Sequence, residues 1–321
     1  MKAFLSYIRL VRPVNLLIIV FTLYVVRFLF IFPITGFNYS SLPVNDVIYA
    51  LFSLSFVCAA AAGYIINDYY DVKIDRINRP DKAIIGKTIS SPRALKMYGA
   101  FNALAILLGF WSCYKAGAYL YGFLFVFYVG ALWLYSYRFK ATFLLGNILV
   151  SVCLALVPLV GIYIQSNGLV FEDDSMNMMH NYAWGISFFA FLTSLIREIV
   201  KDMEDVEGDS VAGCKTMPIV IGQNRAKVAV QMLVVFMIIL IGAYQIILYS
   251  ENAMPLLIYC AVFIQLPCLV VAWKVHKASS TKDYKRISGW LKIIMVTGIS
   301  YFFVLAFEIW IIVALFKSFS K

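Results

Sequence analysis

Long apolar stretches dominate this 321-residue chain and constrain its fold more than any other feature. The chain is 63% hydrophobic and only 14% charged, whereas a soluble domain is typically about 45–50% apolar and about 25% charged. A helix of about 20 apolar residues crosses the hydrocarbon core of a bilayer. Because a water-soluble fold of this length could not bury so much apolar surface, we expect an all-α integral membrane protein.

Nine stretches are long enough to cross a membrane. They cover residues 14–34, 46–66, 96–114, 118–137, 142–165, 183–200, 227–249, 254–274 and 289–316. No small-residue cleavage site follows the first stretch, so we interpret it as a membrane helix and not as a removed signal peptide. We therefore predict a single membrane domain over residues 1–321.

The basic residues lie mostly at one end of these spans. Counting nine spans, 23 of the 27 Lys and Arg residues fall at the N-terminus or after an even-numbered span, which leaves Arg27, Lys115, Lys317 and Lys321 on the other side. The positive-inside rule makes the basic side, with the N-terminus, the cytoplasmic side of the cell membrane. Anionic headgroups explain the net charge of +10 without a nucleic-acid partner. We expect Arg27, in the first span, to extend outward to the headgroups, and pairing with Glu308 is the alternative.

The first acidic cluster follows the second span, in the stretch NDYYDVKID. Asn67 with Asp68, then Asp71 and Asp75, would share one face of a helix because they are spaced about four residues apart. Like charges at this spacing destabilise a helix by a few tenths of a kcal/mol per pair. Such a pattern is favoured where cations lie between the carboxylates.

A second acidic cluster follows the sixth span, where Asp202, Asp205 and Asp209 are three and four residues apart. Both clusters fall on the basic side, so they lie at the same membrane depth and can face each other. Oxygen ligands without His or Cys favour Mg²⁺. Basic residues alternate with the acids, and metal-bridged carboxylates beside cations suit a diphosphate group. A divalent-cation transporter is the alternative class, but it would require mid-span acidic partners or broken helices, and Glu308 is isolated in the ninth span.

The two clusters resemble the motifs of the UbiA superfamily of intramembrane prenyltransferases. The first matches N-D-x-x-D-x-x-x-D, and the second matches D-x-x-x-D at Asp205 and Asp209, followed by G-x-K-T from Gly213. The stretches RPVN, INRP and LYSYRFK are also similar. The resemblance implies nine helices around a central cavity that opens to lipid, with a polyprenyl diphosphate bound through Mg²⁺ at the two motifs.

The residues and the resemblance together imply three sets of site residues. The catalytic set is Asp71, Asp75, Asp205 and Asp209. The metal-binding set is Asn67, Asp68, Asp71, Asp75, Asp202, Asp205 and Asp209. The diphosphate-binding set is Asn67, Lys73, Arg79, Tyr135, Ser136, Arg138, Lys140, Lys201 and Lys215. Asn15 is similar to a polar residue that lines the cavity in the family.

The second motif, REIVKDMEDVEGD, is similar to the branch that transfers a geranylgeranyl group to geranylgeranylglyceryl phosphate. The shared pieces are R-E-I-x-K-D, E-D-x-E-G-D and K-T-x-P. After NRP that branch usually continues with a second Arg-Pro and with P-S-G, whereas this chain reads DKAIIGKTIS. We expect a lipid-alcohol acceptor, and an aromatic acceptor of a quinone, heme or chlorophyll-type pathway stays the alternative because both need an apolar slot.

Overall fold

The computed structural model describes residues 2–42, 44–72, 74, 84–166 and 173–319. Within these residues nine helices are long and apolar enough to cross a membrane, which confirms the predicted number. In chain order the spans are Pro13–Ile34, Asp46–Tyr70, Ser91–Lys115, Tyr119–Tyr137, Leu145–Ser166, Asn177–Val211, Gln223–Ser250, Met254–Lys277 and Thr281–Leu315. The helix that contains the sixth span runs from Asp173 to Val211, so the second acidic cluster lies within this helix and not after it.

Shorter elements complete the chain. A helix over Lys2–Leu10 precedes the first span, and another over Met217–Ile221 precedes the seventh. Turns of π-helix interrupt the first span at Val26–Ile31 and the eighth at Cys260–Gln265. The last helix extends to Phe319.

Local conformation fixes the start of the second span and the end of the sixth helix. The side chain of Asn45 caps the second span, because its Oδ1 accepts a hydrogen bond of 2.9 Å from the amide of Ile48. The sixth helix ends before Gly213, whose φ of 73° lies in the left-handed region that glycine adopts without a Cβ clash.

Large apolar side chains remain exposed along the spans. Leu107 and Met232 are each 68% exposed, and Ile246 is 72% exposed. A surface of this kind would associate in water, but hydrocarbon solvates it favourably. Together with the length of the helices, this makes the chain an integral membrane protein.

By its internal contacts the chain forms two compact units. The first comprises Met1–Phe21, Val44–Cys153 and Asp205–Gly222, and the second comprises Thr22–Pro43, Leu154–Glu204 and Gln223–Lys321. The first unit contains the first acidic motif together with Asp205 and Asp209. The prediction of one domain over the whole chain stays a prediction.

Packed aromatic rings form the centre of the first unit. The ring of Phe125 lies 4.9 Å from that of Phe56 and 6.0 Å from that of Phe52, between centroids. The buried Tyr128 donates a hydrogen bond of 2.6 Å to the carbonyl of Cys153 and so connects the fourth span to the fifth. Gly109 on the third span makes room for Phe125, because a Cβ at this position would lie 2.1 Å from the ring.

This close packing predicts a position-specific effect of alanine in the third span. Gly109→Ala should destabilise the protein by about 1–3 kcal/mol, since the buried Phe125 ring has to move. Gly99→Ala is the control in the same helix: its Cβ would meet nothing within 4 Å, and alanine favours the helical backbone. Thermal unfolding in detergent measures both, and equal melting temperatures for the two variants would contradict the packing described.

The second unit buries Arg27, contrary to the expectation that this side chain extends to the headgroups. Arg27 is 1% exposed and lies in the π-helical turn of the first span. Its guanidinium carbon lies 5.6 Å from the centroid of the Phe28 ring, a cation–π distance. The prediction of an outward-reaching Arg27 was wrong because protein side chains, and not the headgroups, surround this charge.

Candidate functional site

The described part of the first acidic motif lies at the end of the second span. Asn67 and Asp68 lie in the last helical turn, and Asp71 is the residue at which the helix ends. The amide nitrogen of the Asn67 side chain donates a hydrogen bond of 2.8 Å to Oδ2 of Asp71. The predicted site residues Lys73, Asp75 and Arg79 lie outside the described residues.

Lys140 forms an ion pair with Asp71. Lys140 lies in a short 3₁₀ turn, Phe139–Ala141, between the fourth and fifth spans. Both side chains are largely buried, at 17% exposed for Lys140 and 15% for Asp71. The site therefore places a cation from a distant part of the chain directly against the first acidic motif.

The electrostatic surroundings of Lys140 include both acidic motifs. Burial lowers the pKa of Lys140 to about 8, because it disfavours the ammonium form. The acidic groups of Cys214, Asp209 and Asp68 oppose this effect and raise the pKa. Asp68 belongs to the first motif and Asp209 to the second, so the interactions of Lys140 extend to both.

Backbone hydrogen bonds hold the second motif against the same turn. The amide of Cys214 donates to the carbonyl of Asp209 at 2.9 Å, and the amide of Lys215 donates to the carbonyl of Ala141 at 2.8 Å. The second bond joins the residues that follow Asp209 to the residue that follows Lys140. The backbone thus holds the residues that follow the second motif beside the turn that carries Lys140.

Arg12 contacts the first acidic motif, and the sequence analysis did not assign it a role. Its Nη2 lies 2.6 Å from Oδ1 of Asp68, and its guanidinium carbon lies 4.7 Å from the centroid of the Tyr64 ring. The side chain of Asn15 donates a hydrogen bond of 3.1 Å to the hydroxyl of Tyr64. The available signal was the RPVN stretch, which contains both Arg12 and Asn15.

The neighbours of Arg12 favour the charged form of its guanidinium. Partial burial lowers the pKa of Arg12, whereas the Asp68 carboxylate raises it. The hydroxyls of Tyr64 and Tyr135 raise it further, so that the pKa ends above its ordinary value. Tyr135, one of the predicted diphosphate-binding residues, therefore interacts with Arg12.

A small cluster of buried apolar side chains joins the segments that carry Arg12 and Asp68. Leu10, Ile65, Ile85, Ile89 and Ala94 are buried together. They join the end of the Lys2–Leu10 helix to the second span and to the start of the third. Arg12 follows Leu10 by two residues, and Asp68 follows Ile65 by three, so this cluster fixes both partners of the ion pair.

The other predicted diphosphate-binding residues have varied surroundings. The buried hydroxyl of Ser136 donates to the carbonyl of Leu132 in its own helix at 2.9 Å. Arg138 and Lys215 are exposed. Lys201 lies in the second unit, where its Nζ is 2.6 Å from a carboxylate oxygen of Glu198. Their predicted roles stay predictions.

The donor atoms of the site suit a hard cation. In the part of the chain that the structure describes, no group of three or more His, Cys, Asp or Glu side chains is close enough together to hold a metal ion. The donors that are present are carboxylate oxygens and the amide oxygen of Asn67, which is left to accept because the amide nitrogen is bonded to Asp71. This chemistry fits Mg²⁺.

Known proteins are similar to this chain over most of its length. The model of the UbiA prenyltransferase family matches residues 14–314. A digeranylgeranylglyceryl phosphate synthase of Methanothermobacter thermautotrophicus is 31% identical over 292 residues, which cover 89% of this chain and 91% of that protein. The enzyme of the same name from Methanosphaera stadtmanae is 30% identical over 292 residues, covering 90% of this chain and 95% of its own.

Solved structures share the fold. A structure of digeranylgeranylglyceryl phosphate synthase superposes with a TM-score of 0.61 at 23% identity and covers 96% of this chain and 100% of its own. A UbiA homologue from Archaeoglobus fulgidus, bound to DMAPP and Mg²⁺, gives a TM-score of 0.56 at 21% identity, with 92% of this chain and 99% of that chain covered.

Proposed function

The chain belongs to the UbiA family of membrane prenyltransferases, and we propose that its acceptor is the hydroxyl of geranylgeranylglyceryl phosphate. The donor would be a polyprenyl diphosphate of the geranylgeranyl type. In the proposed reaction, the bond between the first prenyl carbon and the diphosphate oxygen breaks. The acceptor oxygen bonds to that carbon and loses its proton, and pyrophosphate leaves. Relatives about 30% identical over most of this chain carry the name of this activity.

The observation that supports a diphosphate donor is the position of Lys140. This lysine is ion-paired with Asp71, and the carboxylate of Asp209 raises its pKa. A buried cation among carboxylates from two motifs is suited to a ligand that is itself strongly anionic and metal-bound. A diphosphate is such a ligand, since Lys binds phosphate as a point charge and Mg²⁺ is usually shared between carboxylates and phosphates.

We propose that Mg²⁺ is the cofactor and that Asn67, Asp71, Asp205 and Asp209 would hold it, with Asp75 as a further predicted ligand. Asp202 lies in the second unit, and its predicted role as a ligand stays a prediction. When bound, Mg²⁺ neutralises the charge that develops on the departing diphosphate. The chain's own contribution is to hold Lys140 at the diphosphate in a largely buried position, where its charge acts more strongly than in water. The apolar spans would hold the prenyl tail and exclude water from the reactive carbon.

The proposed orientation follows from charge. The acidic motifs, Lys140 and the N-terminus all lie on the side that carries most of the Lys and Arg residues. The positive-inside rule makes this side cytoplasmic. We therefore propose that the donor diphosphate enters from the cytoplasmic side of the cell membrane, while its prenyl chain stays in the bilayer.

A product assay tests the acceptor. Purified protein in lipid, supplied with Mg²⁺, labelled geranylgeranyl diphosphate and geranylgeranylglyceryl phosphate, should form a labelled ether lipid that mass spectrometry identifies. Parallel reactions replace the lipid acceptor with an aromatic acid such as 4-hydroxybenzoate. Prenylation of the aromatic acid with no ether product would reject the lipid acceptor and support the aromatic alternative.

A further inference from the structure

The described residues of the first acidic motif contact two different basic residues. Asn67 and Asp71 are hydrogen-bonded to each other, and Asp71 is ion-paired with Lys140. Asp68 faces a different partner, because its Oδ1 lies 2.6 Å from Nη2 of Arg12. The sequence pattern groups Asp68 with the metal ligands, whereas the contacts group it with an arginine.

Two independent contacts fix the guanidinium of Arg12. Tyr64 and Asp68 are four residues apart on the second span and therefore share one face of the helix. Arg12 bridges this turn, with its guanidinium 4.7 Å from the Tyr64 ring centroid and one nitrogen on the Asp68 carboxylate. A planar guanidinium held by a ring and a carboxylate has a defined orientation, which a lysine in its place would not have.

The backbone of Arg12 is also in an unusual conformation. Its φ of 53° lies in the left-handed region, which is unfavourable for a residue with a Cβ. The residue directly precedes Pro13, where the first span begins. Strained positions of this kind persist where surrounding contacts hold them, and they are concentrated at functional sites.

Arg12 can bind a further anion. A guanidinium has five N–H donors, and the bond to Asp68 uses one of them. The Arg12 side chain is 35% exposed, in contrast to 16% for Asp68. Lys140 is paired with Asp71, three residues after Asp68, so the two cations lie at the same end of the second span.

We propose that Asp68 is a positioning residue and not a metal ligand, and that it orients Arg12 to bind a phosphate group of a substrate together with Lys140. The inference rests on the proposed function, which supplies two possible phosphates. One is the diphosphate of the prenyl donor, and the other is the phosphate of the lipid acceptor. Arg suits either group, because its parallel N–H bonds match two phosphate oxygens.

Binding measurements with simple probes test this inference without relying on turnover. Calorimetry with inorganic pyrophosphate represents the donor, and calorimetry with glycerol 1-phosphate represents the acceptor. Electron paramagnetic resonance of bound Mn²⁺ reports the metal site. The variants are Asp68→Asn, Arg12→Gln and their combination, with Asp71→Asn as the metal-ligand reference. Arg9→Gln is the control, since Arg9 is exposed at the end of the preceding helix. Thermal unfolding confirms that each variant is folded.

Asp68→Asn and Arg12→Gln should each weaken the binding of one probe by about tenfold, the loss of one charge-assisted contact. The double variant should be no weaker than Arg12→Gln alone, because both changes act through the same guanidinium. Arg12→Lys should recover part of the affinity. Mn²⁺ binding should change in Asp71→Asn and not in Asp68→Asn. The probe that is affected identifies the source of the phosphate.

Two outcomes would overturn the inference. One is a loss of Mn²⁺ affinity in Asp68→Asn equal to that in Asp71→Asn, which would make Asp68 a metal ligand. The other is unchanged binding of both probes in Arg12→Gln. Failure of the proposed acceptor is a separate result, since it would appear in the wild-type product assay while the binding of pyrophosphate and Mn²⁺ stayed intact.

Discussion

Asp71→Asn and Asp209→Asn should each lower the rate of prenyl transfer by about a hundredfold or more. Asparagine keeps the shape of aspartate and removes its charge, so the loss measures what the carboxylate contributes to metal binding and to charge stabilisation. The two residues come from different motifs and both interact with Lys140. Their combined effect should therefore be smaller than the product of the single effects.

The matched control for these variants is Glu207→Gln. Glu207 is exposed and lies two residues before Asp209 on the same helix. Its variant should retain nearly the full rate. Steady-state kinetics over a range of Mg²⁺ concentrations measures all three variants. A near-normal rate for Asp209→Asn at low Mg²⁺ would contradict a role for the second motif in the reaction.

Gly146→Ala should lower kcat/KM by about tenfold to a hundredfold while leaving the protein inserted and folded. A Cβ at this position would lie 2.8 Å from the carbonyl oxygen of Phe139 and 2.9 Å from Cα of Lys140. Both are backbone atoms, so the contact cannot be relieved by rotating a side chain. The turn that carries Lys140 must move, and small displacements of a binding group reduce rates steeply.

Gly130→Ala provides the control for Gly146→Ala. Gly130 lies in the fourth span, and a Cβ there would meet nothing within 4 Å. This variant should be as active as the wild type. The comparison uses kcat/KM for the donor together with thermal unfolding. A fully active Gly146→Ala would show that the position of the turn does not govern the reaction.

The sequence predicted the number of spans correctly for the described residues. The length of an apolar stretch can be read from that stretch alone. In lipid, each membrane helix must also satisfy its own backbone hydrogen bonds. The position of each span could therefore be read without knowing its neighbours. The predicted sixth span ended at residue 200, whereas its helix continues to Val211. Hydrophobicity did not reveal this extension because it contains charged residues such as Asp205 and Asp209.

Sequence similarity, and not spacing, suggested Lys140 as a diphosphate-binding residue. Nothing in the local pattern relates Lys140 to Asp71, which lies 69 residues earlier in the chain. Their ion pair arises because the turn between the fourth and fifth spans packs against the end of the second. The role suggested for Asp68 illustrates the same limit, since a D-x-x-D pattern does not reveal an arginine that precedes another span.

The sequence by itself predicted nine membrane spans, the number that the described residues contain, and two acidic motifs with a regular spacing. Both properties depend on composition and on spacing within single segments. Only the tertiary structure decided that Lys140 is paired with Asp71, that Arg12 is paired with Asp68 and that Arg27 is buried. These contacts join residues far apart in the chain, and the packing of whole helices, which no single segment encodes, determines which of them meet.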